Sequence, residues 1–246
     1  MELIKVEHVS FSYGSALVLN DISFSVKENE FLTLIGPSGC GKSTLLRIIA
    51  GLIKPSAGKV YFEEREIQQP ISQISFVFQD FALLPWLTNI ENVKIGLASV
   101  KSMTEEEKET EAEKLIKNFG LEGYEDSYPN SLSGGMKQRI GIARALIAKP
   151  KVLLMDEPFS ALDELTANTL RQETLNLLKT PGLSIKSIIM VTHNVEEAVE
   201  LSDTVVVLSS KPTHIKKRLS IEMVQPRRSH IKMFNNMVDN VYSLLA

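Results

Sequence analysis

The sequence predicts an α/β fold: a core with a mostly parallel sheet, an N-terminal antiparallel β subdomain and an inserted α-helical lobe. Three observations carry this. Phe31–Ile35, Lys151–Met155 and Ser187–Thr192 are near-continuous apolar and β-branched runs, the pattern of strands buried on both faces. Helical stretches follow them, Ser43–Ala50, Leu165–Leu178 and one capped by Asn194 that runs to Glu200, and this alternation builds parallel sheets. Between the first such strand and helix lies Gly36–Thr44, GPSGCGKST, whose Gly-x4-Gly-Lys-Ser spacing marks a phosphate-binding loop.

Taken in order, residues 2–9 and 17–26 alternate apolar and polar side chains around the turn-rich Ser12–Ser15, as antiparallel strands do. The loop helix ends at Gly51. Pro55–Gly58 turns into a short strand, Lys59–Phe62, and a charged turn, Glu63–Glu66, follows. Ile74–Phe78 is a further strand, closed by Gln79 and Asp80. From Phe81 to Asn130 helical signals take over: Thr104 with Glu107 three residues on is a capping box, Ala112, Leu115, Ile116 and Phe119 share one face, and Gly120 fits a C-cap. A second helix starts at Ser133, so residues 81 to about 148 form the inserted lobe. Val205–Leu208 is a strand, and Ile215, Leu219 and Ile221 suggest an antiparallel one. Residues 1–208 then make one nucleotide-type domain and 209–246 a basic tail.

Composition narrows the function classes. One cysteine in 246 residues excludes an intrachain disulfide framework and suits a reducing compartment. MELIKVEHVS shows no signal-peptide pattern and no apolar run approaches the ~18 residues of a membrane span, so a cytoplasmic location is expected, with any membrane role supplied by a partner. The net charge of -3 is unevenly spread: from Lys211 on there are seven Lys/Arg against Glu222 and Asp239. That asymmetry suits either a tail near something anionic or a solvated edge decorated with Lys. The rest of the chain is too acidic for an ordinary nucleic-acid binder.

The chemistry sits where strands end. Gly36, Gly39 and Gly41 let loop amides converge on phosphate oxygens, Lys42 adds a point charge for the β/γ-phosphates, and Ser43 offers a hydroxyl to Mg2+. Asp156 and Glu157 follow a buried strand: one carboxylate there can hold Mg2+ through its waters, the second can accept a proton from an attacking water. His193 ends another strand within reach of a γ-phosphate. Gln79 ends Ile74–Phe78, where its amide carbonyl can ligate Mg2+ or water. Leu132–Met136, LSGGM, is a second anion-binding device, with Ser133 as cap and Gly134 and Gly135 leaving the first amides bare. A second anion site makes sense if it completes a neighbour's pocket.

Together these motifs resemble the ATP-binding subunit of an ABC transporter, whose fold is a P-loop NTPase core. GPSGCGKST (Gly36, Pro37, Ser38, Gly39, Cys40, Gly41, Lys42, Ser43, Thr44) is similar to Walker A, Phe78–Asp80 to the Q-loop, LSGGMKQ to the signature, Val152–Glu157 to Walker B, Ser160–Asp163 to the D-loop, and His193 to the switch histidine. The resemblance implies that Tyr13 stacks on adenine and that two subunits sandwich two MgATP head to tail, each loop facing the other's Ser133–Gly135. It implies that Lys42 and the loop amides take the phosphates, that Asp163 links the two sites, and that Glu157 is the base. One departure is Met136, where the signature usually has Gln; the hydroxyl and amides remain. Met136 with Phe81–Val93 and Pro226–His230 is similar to the importer branch for nitrate, sulfonate and taurine. Expected partners are a second copy, permease subunits near Gln79 and Trp86 and, indirectly, an extracytoplasmic solute-binding protein, placing the chain peripherally on the inner face of the cell membrane. Two rivals stay open: a soluble ABC ATPase of repair or translation, and a regulatory subunit that binds without hydrolysing. Cys40, inside the loop, is expected to block nucleotide binding when alkylated.

Overall fold

A computed structural model describes residues 1–180 and 182–245; Ala246, the last residue of the expected tail, lies outside them. The chain opens with β1 (Glu2–Tyr13), β2 (Ala16–Lys27), β3 (Glu30–Ile35), α1 (Lys42–Ile49), β4 (Ala57–Phe62) and β5 (Arg65–Glu66). Next come β6 (Ile74–Val77), α2 (Asn89–Lys94), α3 (Glu105–Asn118), α4 (Gly134–Leu146), β7 (Val152–Asp156) and α5 (Glu164–Leu177). Then follow β8 (Ser187–Thr192), α6 (Val195–Leu201), β9 (Thr204–Leu208), β10 (Ile215–Ser220) and α7 (Ile231–Leu245). They form two compact units, one of Met1–Ile71 with the residues from Lys186 on, the other Ser72–Ile185.

In the first unit, β1 lies between β2 and β4 in an antiparallel sheet, with Val6 opposite Phe24 on one side and Val60 on the other. Leu3, Ile4, Val6, Val9, Ile22, Phe24 and Val26 are among this sheet's buried apolar residues. The hairpin is longer than the alternation suggests: Gly14 at φ 58 lets Tyr13 pair Ala16 across a two-residue turn. β3 runs parallel to both β8 and β9, and every residue of the three strands is buried. That is why their sequences read as unbroken runs. The charged stretch 63–66 does turn, with Glu63 and Glu64 at positive φ, but Arg65–Glu66 then pairs with β4.

The three arginines of the basic tail are paired within its own unit. β10 pairs antiparallel with β9, and α7 lays Phe234, Val238 and Val241 against Val195, Ala198 and Val199 of α6 and Val205 and Val207 of β9. Arg218 pairs with Glu30 at 3.0 Å, and Arg228 pairs with Glu196 and Glu200 while its guanidinium lies 5.3 Å above the Phe234 ring. Arg227 is buried: it donates to the carbonyls of Met223, Val199, Glu200 and Ser202 and reaches Asp203 at 3.2 Å. The carbonyls at the end of α6 thus find donors in this side chain, with Gln225 Nε2 adding a second to Glu200 O at 2.8 Å. Burial pushes the Arg227 guanidinium below its ordinary value, against the opposing pull of Asp203.

In the second unit, β6 and β7 pair in parallel, and α2, α3 and α4 share a core of Ile90, Val93, Ala112, Ile116, Ile140 and Ala143. The capping box at Thr104 and Glu107 forms as expected, and Ser133 caps α4. A second capping box, Thr88 with Glu91, starts α2, a helix the sequence reading did not delimit. Among the described residues no helix is long and apolar enough to cross a membrane.

Candidate active site

The phosphate-loop residues leave the first unit's parallel sheet together with His193. Ile35 pairs with Thr192, so Gly36 and His193 are the next residues of two neighbouring strands, roughly 5 Å apart in a sheet. The loop's glycines are required for different reasons. Gly39 and Gly41 adopt φ 71 and 114, whereas Gly36 needs space, since a Cβ there would lie 3.0 Å from Leu208 Cβ and 3.1 Å from Cys40 Sγ. At Gly41 it would also lie 2.7 Å from Val18 Cγ1 of β2. No side chain caps α1, so its first amides face the loop, at the positive end of the helix dipole.

Lys42 is buried and donates to the carbonyls of Gly36, at 2.8 Å, and Pro37, at 3.1 Å. The ammonium is thereby held under the exposed apex Pro37–Ser38–Gly39, with a third N–H to offer. Ser43, half-buried, and Thr44, buried, follow in the first turn. Cys40 lies beneath the loop. It is 2% exposed, with Sγ filling the space beside Gly36 and its carbonyl accepting from the Thr213 hydroxyl. Tyr13 stands exposed at the hairpin end, its ring set edge-on to Phe11 with centroids 4.7 Å apart.

The second unit assembles its own group. Val77 pairs with Met155, and two residues beyond each lie Gln79 and Glu157, whose side chains approach at 3.5 Å. Asp156 is buried at the end of β7, while Glu157 is half-buried at φ 45, a conformation costly for a non-glycine residue and concentrated at functional sites. The Ser160 hydroxyl donates to the Glu157 carbonyl at 2.9 Å and holds that turn.

Ser133 and Asp163 are both N-caps: the first accepts from the Met136 amide at 3.3 Å, the second from the Thr166 amide at 3.0 Å. The bonds from Thr166 hold the Asp163 carboxyl below its ordinary value. Neither Gly134 nor Gly135 has positive φ. They are seats for the neighbouring segment: a Cβ on Gly135 would lie 2.4 Å from Thr166 Cγ2 of α5, and one on Gly134 3.2 Å from Leu162 Cδ2. Met136 packs on the α2–α3–α4 core, which explains an apolar residue there. Thr166 escaped the sequence reading because only the close approach of two helices reveals it.

A family model for ABC transporters matches residues 19–160, more than half of the chain. The chain belongs to the ABC transporter family. Within it, the chain is an ATP-binding cassette ATPase, and the resemblance read from its motifs holds. An uncharacterized ABC transporter ATP-binding protein of Methanocaldococcus jannaschii is 48% identical over 228 residues, 91% of this chain and 84% of that protein. The aliphatic sulfonates import ATP-binding protein of Bacillus cereus is 40% identical over 231 residues, 94% of this chain and 89% of that one. The nitrate import ATP-binding protein of Synechococcus elongatus is 42% identical over 217 residues, 87% of this chain but 32% of that longer protein. Among solved structures, a dimeric ATP-binding cassette in a post-hydrolysis state with ADP and Pi superposes with a TM-score of 0.78 at 32% identity, over 90% of this chain and 100% of that one.

Proposed function

We propose that this chain hydrolyses MgATP as a head-to-tail dimer and so drives uptake of a small anionic or zwitterionic solute, of the nitrate, sulfonate or taurine kind, through separate permease subunits. The observation that carries the hydrolytic part is the pair Gln79 and Glu157 brought to 3.5 Å from corresponding positions of two parallel strands, with Glu157 held at positive φ beside buried Asp156. In phosphoryl transfer the protein's contribution is positioning and charge. Lys42 and the amides of Gly36–Thr44 bind phosphate oxygens, His193 donates to the γ-phosphate, and Glu157 orients water and takes its proton. The hydroxyl of Ser43, the amide oxygen of Gln79 and the carboxylate of Asp156 are hard oxygen donors of the kind Mg2+ prefers, the last through water. Bound there, the ion neutralises charge on the phosphates.

Support for dimerisation comes from the dimeric relative and from Ser133–Gly135, an anion-type helix start with no phosphate loop of its own strand. Asp163, beside it, would bridge the sites, and Tyr13 would carry the adenine. The domain reading is one cassette over 1–208, with residues 81–148 as the arm that meets the permease and 209–246 as an appended tail. The subunit would sit on the inner face of the membrane and meet a solute-binding protein only indirectly. The sulfonate and nitrate relatives support the solute class.

The test is steady-state ATPase with Glu157→Gln beside the parent. Turnover should drop by roughly 100-fold or more with MgATP still bound; unchanged turnover overturns the assignment.

A further inference from the structure

The segment leaving Gln79 adopts a backbone that its own residues would not choose. Phe81 and Ala82 are consecutive non-glycine residues at φ 63 and 47, in the left-handed region. Both of their carbonyls are taken by one side chain: Arg144, in the last turn of α4, donates to Phe81 O at 2.7 Å and to Ala82 O at 2.6 Å. One turn earlier Gly141 leaves room for the approach, with Phe81 O only 3.6 Å from where its Cβ would stand. Burial lowers the Arg144 guanidinium from its ordinary value and Asp80 opposes this, so the cation is desolvated yet compensated.

The stretch beyond is fixed from a different helix. Asn92 of α2, fully buried, accepts from the Leu84 amide at 2.8 Å and donates to the carbonyls of Leu84, Leu87 and Thr88 at 3.0, 3.2 and 3.0 Å. Just past α2, Gly96 sits so close to α4 that a Cβ there would meet Arg144 O at 2.2 Å. Residues 81–96 are therefore seated on α4, the helix whose first turn is Ser133–Gly135. Trp86, the only tryptophan, projects from the middle of this segment, 69% exposed.

We propose that Arg144 is a positioning residue that welds Gln79, the segment 81–88 and helix α4 into one body, so that a change at Gln79 and a change at Ser133 reach Trp86 as a single displacement. The proposal rests on the reading above that Gln79 and Ser133 meet nucleotide. Its chemistry is the fork of the guanidinium: two N–H groups held in one plane fix the directions of both carbonyls, whereas a lysine in place of Arg144 is shorter and its rotating ammonium imposes no such geometry. The price of the left-handed pair is met only while that fork is in place.

Trp86 supplies its own probe. In a Glu157→Gln background, which retains ATP, MgATP binding is measured by calorimetry and the Trp86 emission and acrylamide quenching are followed in parallel. The parent background should show a Trp86 change on binding. With Arg144→Lys added, MgATP affinity should stay within about twofold while the Trp86 change falls by about threefold or more. Adding Ala82→Gly to Arg144→Lys, which removes one of the two left-handed penalties, should recover at least half of the change. A full Trp86 response in Arg144→Lys, or no recovery with glycine, overturns the proposal. Absence of MgATP binding in the background protein overturns the functional reading and this proposal with it, whereas binding without any Trp86 change overturns this proposal alone. Should Arg144→Lys fail to fold, hydrogen exchange of the Glu157→Gln protein with and without MgATP decides: amides of 84–87 and of 135–137 should change protection together, and a change confined to one set sinks the idea.

Discussion

Replacing Gly135 by alanine is the sharpest probe of how the signature helix is seated. The new Cβ would lie 2.4 Å from Thr166 Cγ2, and an ordinary contact of about 3.5 Å requires roughly 1 Å of movement between α4 and α5. Overpacking of that size costs about 1–3 kcal/mol. Alanine also gains up to ~1 kcal/mol of helix propensity over glycine, because Gly135 carries no positive φ that only glycine could hold. Taking the middle of the overpacking range, about 2 kcal/mol, the clash is the larger effect and Gly135→Ala should lose about 1 kcal/mol net. Thr166→Ser deletes the offending methyl and keeps the backbone amide that Asp163 caps, at a cost of about 0.8 kcal/mol or less. The double variant should then lie within about 1 kcal/mol of the parent, a favourable coupling of about 2 kcal/mol, the size of the relieved clash. Urea denaturation followed by circular dichroism measures all four corners of the cycle. Gly135→Ala as stable as the parent, or a double variant no better than the sum of the singles, would refute the seat and return Gly135 to a purely anion-binding role.

Two further outcomes follow from geometry elsewhere. Arg227→Met strands the carbonyls of Met223, Val199 and Ser202, while Glu200 O keeps the Gln225 side-chain amide, and should cost about 3 kcal/mol or more, a fall of roughly 6–12 °C in Tm; a shift under about 2 °C would show that water replaces the clamp. For Asp163, bonds from Thr166 favour the charged form in the folded state, so its contribution is present above the ordinary carboxyl value of 3.8 and is lost as pH falls through the lower folded value. Asp163→Asn should therefore flatten the acid limb of the stability curve below about pH 4 relative to the parent, and identical limbs would refute the assignment.

What was legible in the sequence is what short-range chemistry decides. The loop at Gly36–Thr44, the capping box at Thr104 and Glu107 and the runs that became β3, β8 and β9 all state their structure within a few residues. The turn at Gly14 and the start of α2 are stated as locally, by one glycine and by the capping box of Thr88 and Glu91. The rest depends on partners far along the chain. Arg227 looks like one more cation of a basic tail until it meets carbonyls of α6 more than twenty residues away. Arg144 reads as a solvent-facing residue of a helix, yet it bonds a backbone 62 and 63 positions earlier. Cys40 could not be oriented from its spacing, since whether it points up to a ligand or down to Leu208 is a matter of the loop's path.

The two glycine-bearing motifs look alike in sequence, each a pair of glycines at the start of a helix beside a serine. Their physics differs. Gly39 and Gly41 are needed for φ of 71 and 114, which frees the amides above α1, and no side chain caps that helix. Gly134 and Gly135 have ordinary helical φ, their helix is capped by Ser133, and their missing side chains admit Leu162 and Thr166. The first pair shapes the path of a loop, the second a joint between segments. Because that joint lies against Ala161, Leu162 and Thr166 and α4 also carries Arg144, the coupling proposed above predicts that a displacement of residues 161–166 moves Ser133 and, through α4, the segment that bears Trp86.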